Sequence, residues 1–81
     1  MEIDLRGQTV EDGLLALDRY LDAAYNANLP WVRIIHGKGT GKLRQAIRDA
    51  LRSNDLVVTY ESGSDGEGGD GVTVAKLAVI D

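Results

Sequence analysis

The sequence has no cysteine and no phenylalanine, and only one histidine, one proline and one tryptophan among its 81 residues. Without cysteine there is neither a disulfide framework nor a thiolate zinc site. A single imidazole likewise excludes a zinc site built from two or three histidines. Aromatic residues are so few that a base-stacking platform is not expected; Trp31, Tyr20, Tyr25 and Tyr60 read as core or flanking side chains. Long apolar runs are missing too, so no stretch reads as membrane-spanning. The start Met1-Glu2-Ile3-Asp4-Leu5 lacks the basic and apolar regions of a secretory signal. A cytoplasmic protein with no membrane partner is the expectation. An overall positive charge is also absent: the formal net charge is −4, whereas a nucleic-acid binder usually leaves a basic footprint.

The average conceals an asymmetry. Between Trp31 and Ser53 stand Arg33, Lys38, Lys42, Arg44, Arg48 and Arg52 against Asp49 alone, a local charge of +5. The remainder holds three cations against twelve acids, −9. With 43% apolar and 27% charged residues the chain has the make-up of a globular protein, and its length suits one domain over residues 1–81.

Ile3 and Leu5 read as a short first strand. Thr9 with Asp12 fits a capping box, and Val10, Leu14, Leu17, Leu21 and Ala24 then recur at helical spacing until the asparagines before Pro30. Trp31 to Ile35 is nearly continuous apolar and β-branched, the pattern of a central strand. Leu43, Ala46, Ile47, Ala50 and Leu51 give a second amphipathic helix. Leu56 to Glu61 is a third strand, Ser62 to Gly71 an acidic glycine loop, and Val72 to Ile80 a fourth strand with Val72, Val74, Leu77 and Val79 as its apolar positions. The order β-α-β-α-β-β predicts an α/β (α+β) two-layer sandwich with a mixed four-stranded sheet. Right-handed crossovers predict parallel pairing of the first three strands, with the last antiparallel.

Parallel strands bring their carboxyl ends to one edge, where open α/β sheets bind ligands. Asp4 to Gly7, His36 to Gly41 and the acidic loop all arrive there. In His36-Gly37-Lys38-Gly39-Thr40-Gly41 three alternating glycines let backbone N–H groups turn toward one point at a helix N-terminus, with Lys38 and Lys42 adding full charges. Phosphate is the natural guest. The spacing matches neither a P-loop nor a dinucleotide fingerprint. Arg44, Arg48 and Arg52 at four-residue intervals form a row suited to a polyanion extending beyond one phosphate.

Asp4-Leu5-Arg6-Gly7, the run Val32 to Gly41, and Glu67-Gly68-Gly69-Asp70-Gly71-Val72-Thr73-Val74 resemble the Smr (small MutS-related) domain found at the C-terminus of second-type bacterial MutS proteins. Ile3-Asp4-Leu5-Arg6 is similar to that family's LDLR-type motif, and His36 to Gly41 to its HGKGTG motif. The resemblance implies a fold like the C-terminal domain of translation initiation factor three and nicking or endonuclease activity on DNA, RNA or both. It also implies a parent MutS-like protein with an ATPase core and coiled coil upstream, tied to recombination control or ribosome rescue.

The expected roles follow. Gly37, Gly39, Thr40 and Gly41 hold a phosphate, Lys38 stabilises developing negative charge, His36 shuttles the proton, and Arg6 clamps a phosphate oxygen. Asp4 orients His36 or Arg6, or ligates a metal, while Lys42, Arg44 and Arg48 track the flanking backbone. RNA can supply its own 2′-hydroxyl nucleophile. DNA needs an activated water, for which Asp4 and Glu67, with Asp65 or Asp70, are the candidate ligands of Mg²⁺ or Mn²⁺. The alternatives are a non-catalytic module docking on DNA, RNA or a ribosome, and, more weakly, a binder of small phosphorylated ligands. All roles rest on one geometric expectation, that Arg6, His36 and Lys38 converge on one rim.

Overall fold

A computed structural model describes residues 1–64, 66 and 68–80. Its elements are β1 (Glu2–Asp4), α1 (Val10–Asn26), β2 (Trp31–Ile35), α2 (Lys42–Ser53), β3 (Val57–Ser62) and β4 (Val72–Leu77), the last preceded by a 3-10 turn at Gly69–Gly71. The α1 N-terminus is capped as the sequence predicts: Thr9 Oγ1 accepts the Asp12 N–H at 3.1 Å. Its end is closed by Asn28 in the left-handed region (φ 59) and by Leu29 N–H donating to Ala24 O at 3.0 Å.

The sheet order is β1-β2-β4-β3. β1 pairs with β2 in parallel, and β4 pairs antiparallel with both β2 and β3. The first three strands therefore run in one direction, yet β3 does not pair with β2 as expected, because β4 inserts between them. Their carboxyl ends still share one edge, so the inference about where a ligand binds survives the altered pairing.

Both helices cover one face of the sheet. Val32, Ile34, Ala75 and Leu77 from the strands meet Leu17, Leu21 and Ala24 of α1 and Ile47 and Leu51 of α2 in one buried cluster. Each such large side chain contributes about 1.5–3 kcal/mol of burial. In β4 the helix-facing residues are Thr73, Ala75 and Leu77; of the four expected apolar positions only Leu77 is among them, Val72 and Val74 belong to the other face, and Val79 lies beyond the strand, which ends at Leu77 and not at Ile80. A threonine can sit in this core because its hydroxyl finds a partner there, described below. The opposite face is uncovered by helix and carries Arg33, Ile35, Val74 and Asp4, whose partner in register is Ile35.

Candidate phosphate-binding rim

The turn from β2 to α2 is shaped by two glycines with positive φ, Gly37 (83°) and Gly41 (84°), a region that L side chains rarely adopt. Gly41 is the N-cap of α2 and offers no side chain to its first turn. Among the described residues, the amides of Lys38, Gly39, Thr40 and Gly41 have no hydrogen-bond acceptor; Lys42 N–H makes only a long contact of 3.4 Å to Thr40 Oγ1. The helix dipole adds partial positive charge at the same place. Two amides at the start of the turn are already used, since His36 N–H and Gly37 N–H both donate to Gly71 O at 3.1 and 3.0 Å. The amides available to an anion therefore begin at Lys38 and not at Gly37, whose contribution is its conformation.

Lys38, Lys42 and Arg44 have no ion pair among the described residues. Arg44 is half-buried and its Nε lacks a partner. Arg44, Lys38, Gly7, Gln8, His36 and the glycine turn line a cleft of about 260 Å³. The expected row is shorter than the sequence implies. Arg48 turns toward β3, where its Nη2 donates to Ser62 Oγ at 2.6 Å and its guanidinium lies 5.7 Å from the Tyr60 ring centroid. Arg52 pairs with Asp49 at 3.5 Å. Arg48 is thus held by β3 and Arg52 by the acid on its own helix.

Asp4 and Arg6 form a tight local pair. Arg6 Nε donates to both carboxylate oxygens (3.0 and 3.2 Å), its Nη2 to Oδ2 at 2.7 Å, and its backbone N–H to Oδ1 at 3.0 Å. The side-chain hydrogen bonds from Arg6 hold the Asp4 carboxyl down at about 2. Of the roles expected for Asp4, this geometry shows it orienting Arg6 and not His36. Both carboxylate oxygens are occupied, so a divalent ion here would have to displace the guanidinium. No group of three metal-ligating side chains occurs among the described residues. Glu67 and Asp65 lie outside them.

His36 departs most from expectation. It continues the inward alternation of Val32 and Ile34 and is 6% exposed, while Asp4 belongs to the opposite face of the sheet. Arg6 and His36 thus line different depressions on either side of Gly37 and Lys38, the two residues that border both, and do not share one site. Nδ1 is 2.9 Å from Gly37 O, and Nε2 is 2.8 Å from Oγ1 of Thr73, which is 0% exposed. A carbonyl only accepts, so Nδ1 carries the hydrogen and neutral Nε2 accepts from the Thr73 hydroxyl. Burial, with Arg44 and Arg48 nearby, pushes the imidazole below its ordinary 6.5, against a smaller opposing effect of the Gly37 bond.

The sign of the resulting pH effect is fixed. Below about 6.5 the unfolded chain binds a proton that folded His36 resists, so stability is full above that value and falls as pH drops toward the lower folded pKa. The Asp4 pair adds a separate loss between 3.8 and about 2. We expect thermal melts to show two acid steps, with the upper one absent in His36→Gln.

Thr73 and the Gly71 carbonyl were not singled out by sequence reasoning. The available signal was a hydroxyl residue inside an otherwise apolar strand, which needs a buried partner.

A glycine turn whose amides and neighbouring cations lack partners among the described residues, set at the carboxyl edge of a mixed sheet backed by two helices, gives an α+β domain with a candidate anion site. The family model described as the Smr domain matches residues 3–78, and the chain belongs to that family. It is 60% identical over 76 residues to an endonuclease MutS2 of Symbiobacterium thermophilum, covering 94% of this chain and 10% of that protein. It is 59% identical over 78 residues to that of Thermomicrobium roseum, covering 96% and 10%. The chain thus spans about a tenth of these relatives. The crystal structure of the Smr domain of Thermus thermophilus MutS2 superposes with a TM-score of 0.93 at 51% identity, covering 95% of this chain and 96% of that one. YdaL, a stand-alone small MutS-related protein from Escherichia coli, gives 0.88 at 28%, covering 94% and 63%.

Proposed function

We propose that this domain grips the phosphate backbone of a nucleic acid across the Lys38–Gly41 turn and nicks a phosphodiester there, as part of a larger MutS2-like protein. The observation that carries this reading is the meeting of four amides with three cations, all without a partner among the described residues. The amides of Gly39, Thr40 and Gly41 hold a phosphate, and Lys38 stabilises charge that builds on its oxygens. Arg6, held in one orientation by Asp4, clamps an oxygen from the far side of Gly37 and Lys38, and Lys42 and Arg44 follow the flanking backbone. With RNA, the 2′-oxygen attacks the adjacent phosphorus as its proton leaves, and the 5′-oxygen departs taking up a proton. The products are a 2′,3′-cyclic phosphate and a 5′-hydroxyl. His36 carries such a proton only if Nε2 is released from Thr73. The described carboxylates do not form a cation site, so no step is routed through Mg²⁺ or Mn²⁺.

A second reading has its own observation. Because both imidazole nitrogens are engaged, the rim also suits a docking module for DNA or ribosomal RNA that never cuts. Supercoiled plasmid and structured RNA, incubated with the protein in chelator or in added Mg²⁺ or Mn²⁺, separate the two. Nicked circles or RNA fragments are expected. Salt-sensitive binding without product under every condition would establish the docking module instead.

A further inference from the structure

On the open face, beside the rim, lies a second depression of about 340 Å³ lined by Arg6, Ile35, Gly37, Lys38, Gly68, Gly71 and Val72. This is the lower end of the size range of small-molecule clefts, roughly 300–1,000 Å³. Its lining differs in chemistry from the phosphate cleft. Ile35 and Val72 are branched aliphatic side chains, and three glycines present bare backbone. At Gly68 (φ +108) a Cβ would stand 2.6 Å from Val72 Cγ2, and at Gly71 one would meet the Lys38 stem at 3.5 Å. A side chain at Gly68 would clash with Val72, whereas one at Gly71 would only fill space beside Lys38. Arg6 adds a planar cation whose orientation is locked by three side-chain hydrogen bonds to Asp4.

We infer that this depression receives the base of a nucleotide whose phosphate sits at the Lys38–Gly41 turn. The inference rests on the phosphate reading above and goes further by placing the base. Three features support it. The slot adjoins the phosphate cleft across Gly37 and Lys38, which line both. A base has flat apolar faces that match glycine backbone and aliphatic side chains, and a fixed guanidinium is a stacking partner for it. The cations bordering the slot, Arg6 and Lys38, also suit the adjoining phosphates. Base pairing within a duplex keeps a base in its stack, so the slot selects single-stranded or unpaired nucleotides. Stacking on a face is tolerant of base identity, and sequence preference is accordingly weak.

The test uses the 81-residue chain, labelled for amide NMR, titrated with a single-stranded trinucleotide and with the same backbone carrying three abasic tetrahydrofuran residues. The expected result is that the base-bearing ligand binds at least about fivefold tighter. It should move the amides of Gly68, Gly71 and Val72 as well as those of Lys38 to Gly41, whereas the abasic ligand moves only the latter. Arg6→Lys, which keeps the charge and removes the plane, should shrink the difference between ligands. Equal affinities, or equal movement of Gly71 and Val72 by both ligands, overturn the slot and leave the phosphate reading standing. Failure of either ligand to move the Lys38–Gly41 amides at low salt overturns both.

Discussion

Replacing Lys38 by methionine is expected to slow nicking by about 100- to 1,000-fold, the usual cost of removing one preorganised stabiliser of developing charge. Methionine is the informative substitute because the Lys38 stem packs beside Gly71, where its Cγ would lie 3.5 Å from a Cβ; the stem is kept and only the charge is lost. Lys38 is exposed and has no ion pair among the described residues, so the melting temperature should be unchanged. Lys42→Ala serves as the contrast. Its cation lies further along the helix edge, and its loss should weaken binding uniformly across sequences and lower the salt-dependence slope by about one. A Lys38→Met protein that nicks as fast as the wild type would remove the residue from the chemistry. One that binds and nicks less only in proportion to occupancy would make Lys38 another backbone contact.

The second large effect concerns stability. Thr73→Val preserves shape but takes the hydroxyl away from His36 Nε2, leaving a buried acceptor unsatisfied, at a cost of about 1–3 kcal/mol. In a domain of this size each kcal/mol lowers the melting temperature by about 4–8 °C. Changing both partners, as His36→Leu with Thr73→Val, removes the polar group and its partner together, and a double-mutant cycle should show that the two losses are not additive. A Thr73→Val protein as stable as the wild type would show that the pair contributes nothing to the fold. The same variant probes catalysis. If His36 moves protons, freeing Nε2 shifts the pH profile of nicking; if the pair is scaffold, nicking per folded molecule stays the same.

Much of this arrangement is legible in the sequence, for reasons that differ by element. Both helices follow from apolar spacing and, in α1, from the Thr9 cap, because local periodicity is set by the residues within the helix. β2 is legible over its full length, Trp31–Ile35. Strand direction is legible from the alternation of strands and helices, but neighbour relations are not: placing β4 between β2 and β3 depends on contacts between distant segments. The turn at Lys38–Gly41 is legible because glycine and lysine advertise their conformation and charge. The fate of His36 is not, since its partner lies 37 residues away on a strand whose inward face is hidden by the valines beside Thr73. Arg48 reads as free on helical spacing and is claimed by Ser62, another distant partner.

The insertion of β4 at the centre of the sheet bears on how the molecule assembles as it is made. Until Val72–Leu77 emerges from the ribosome, β2 and β3 have no strand to join them, and the earlier segments amount to a βαβ unit with α2 packed on α1 and a strand without a sheet partner. The same late strand delivers Thr73 to His36, and the residue just before it delivers the Gly71 carbonyl to the turn. A nascent chain from which this strand has not yet emerged therefore has an unfinished turn, and the candidate site is completed last.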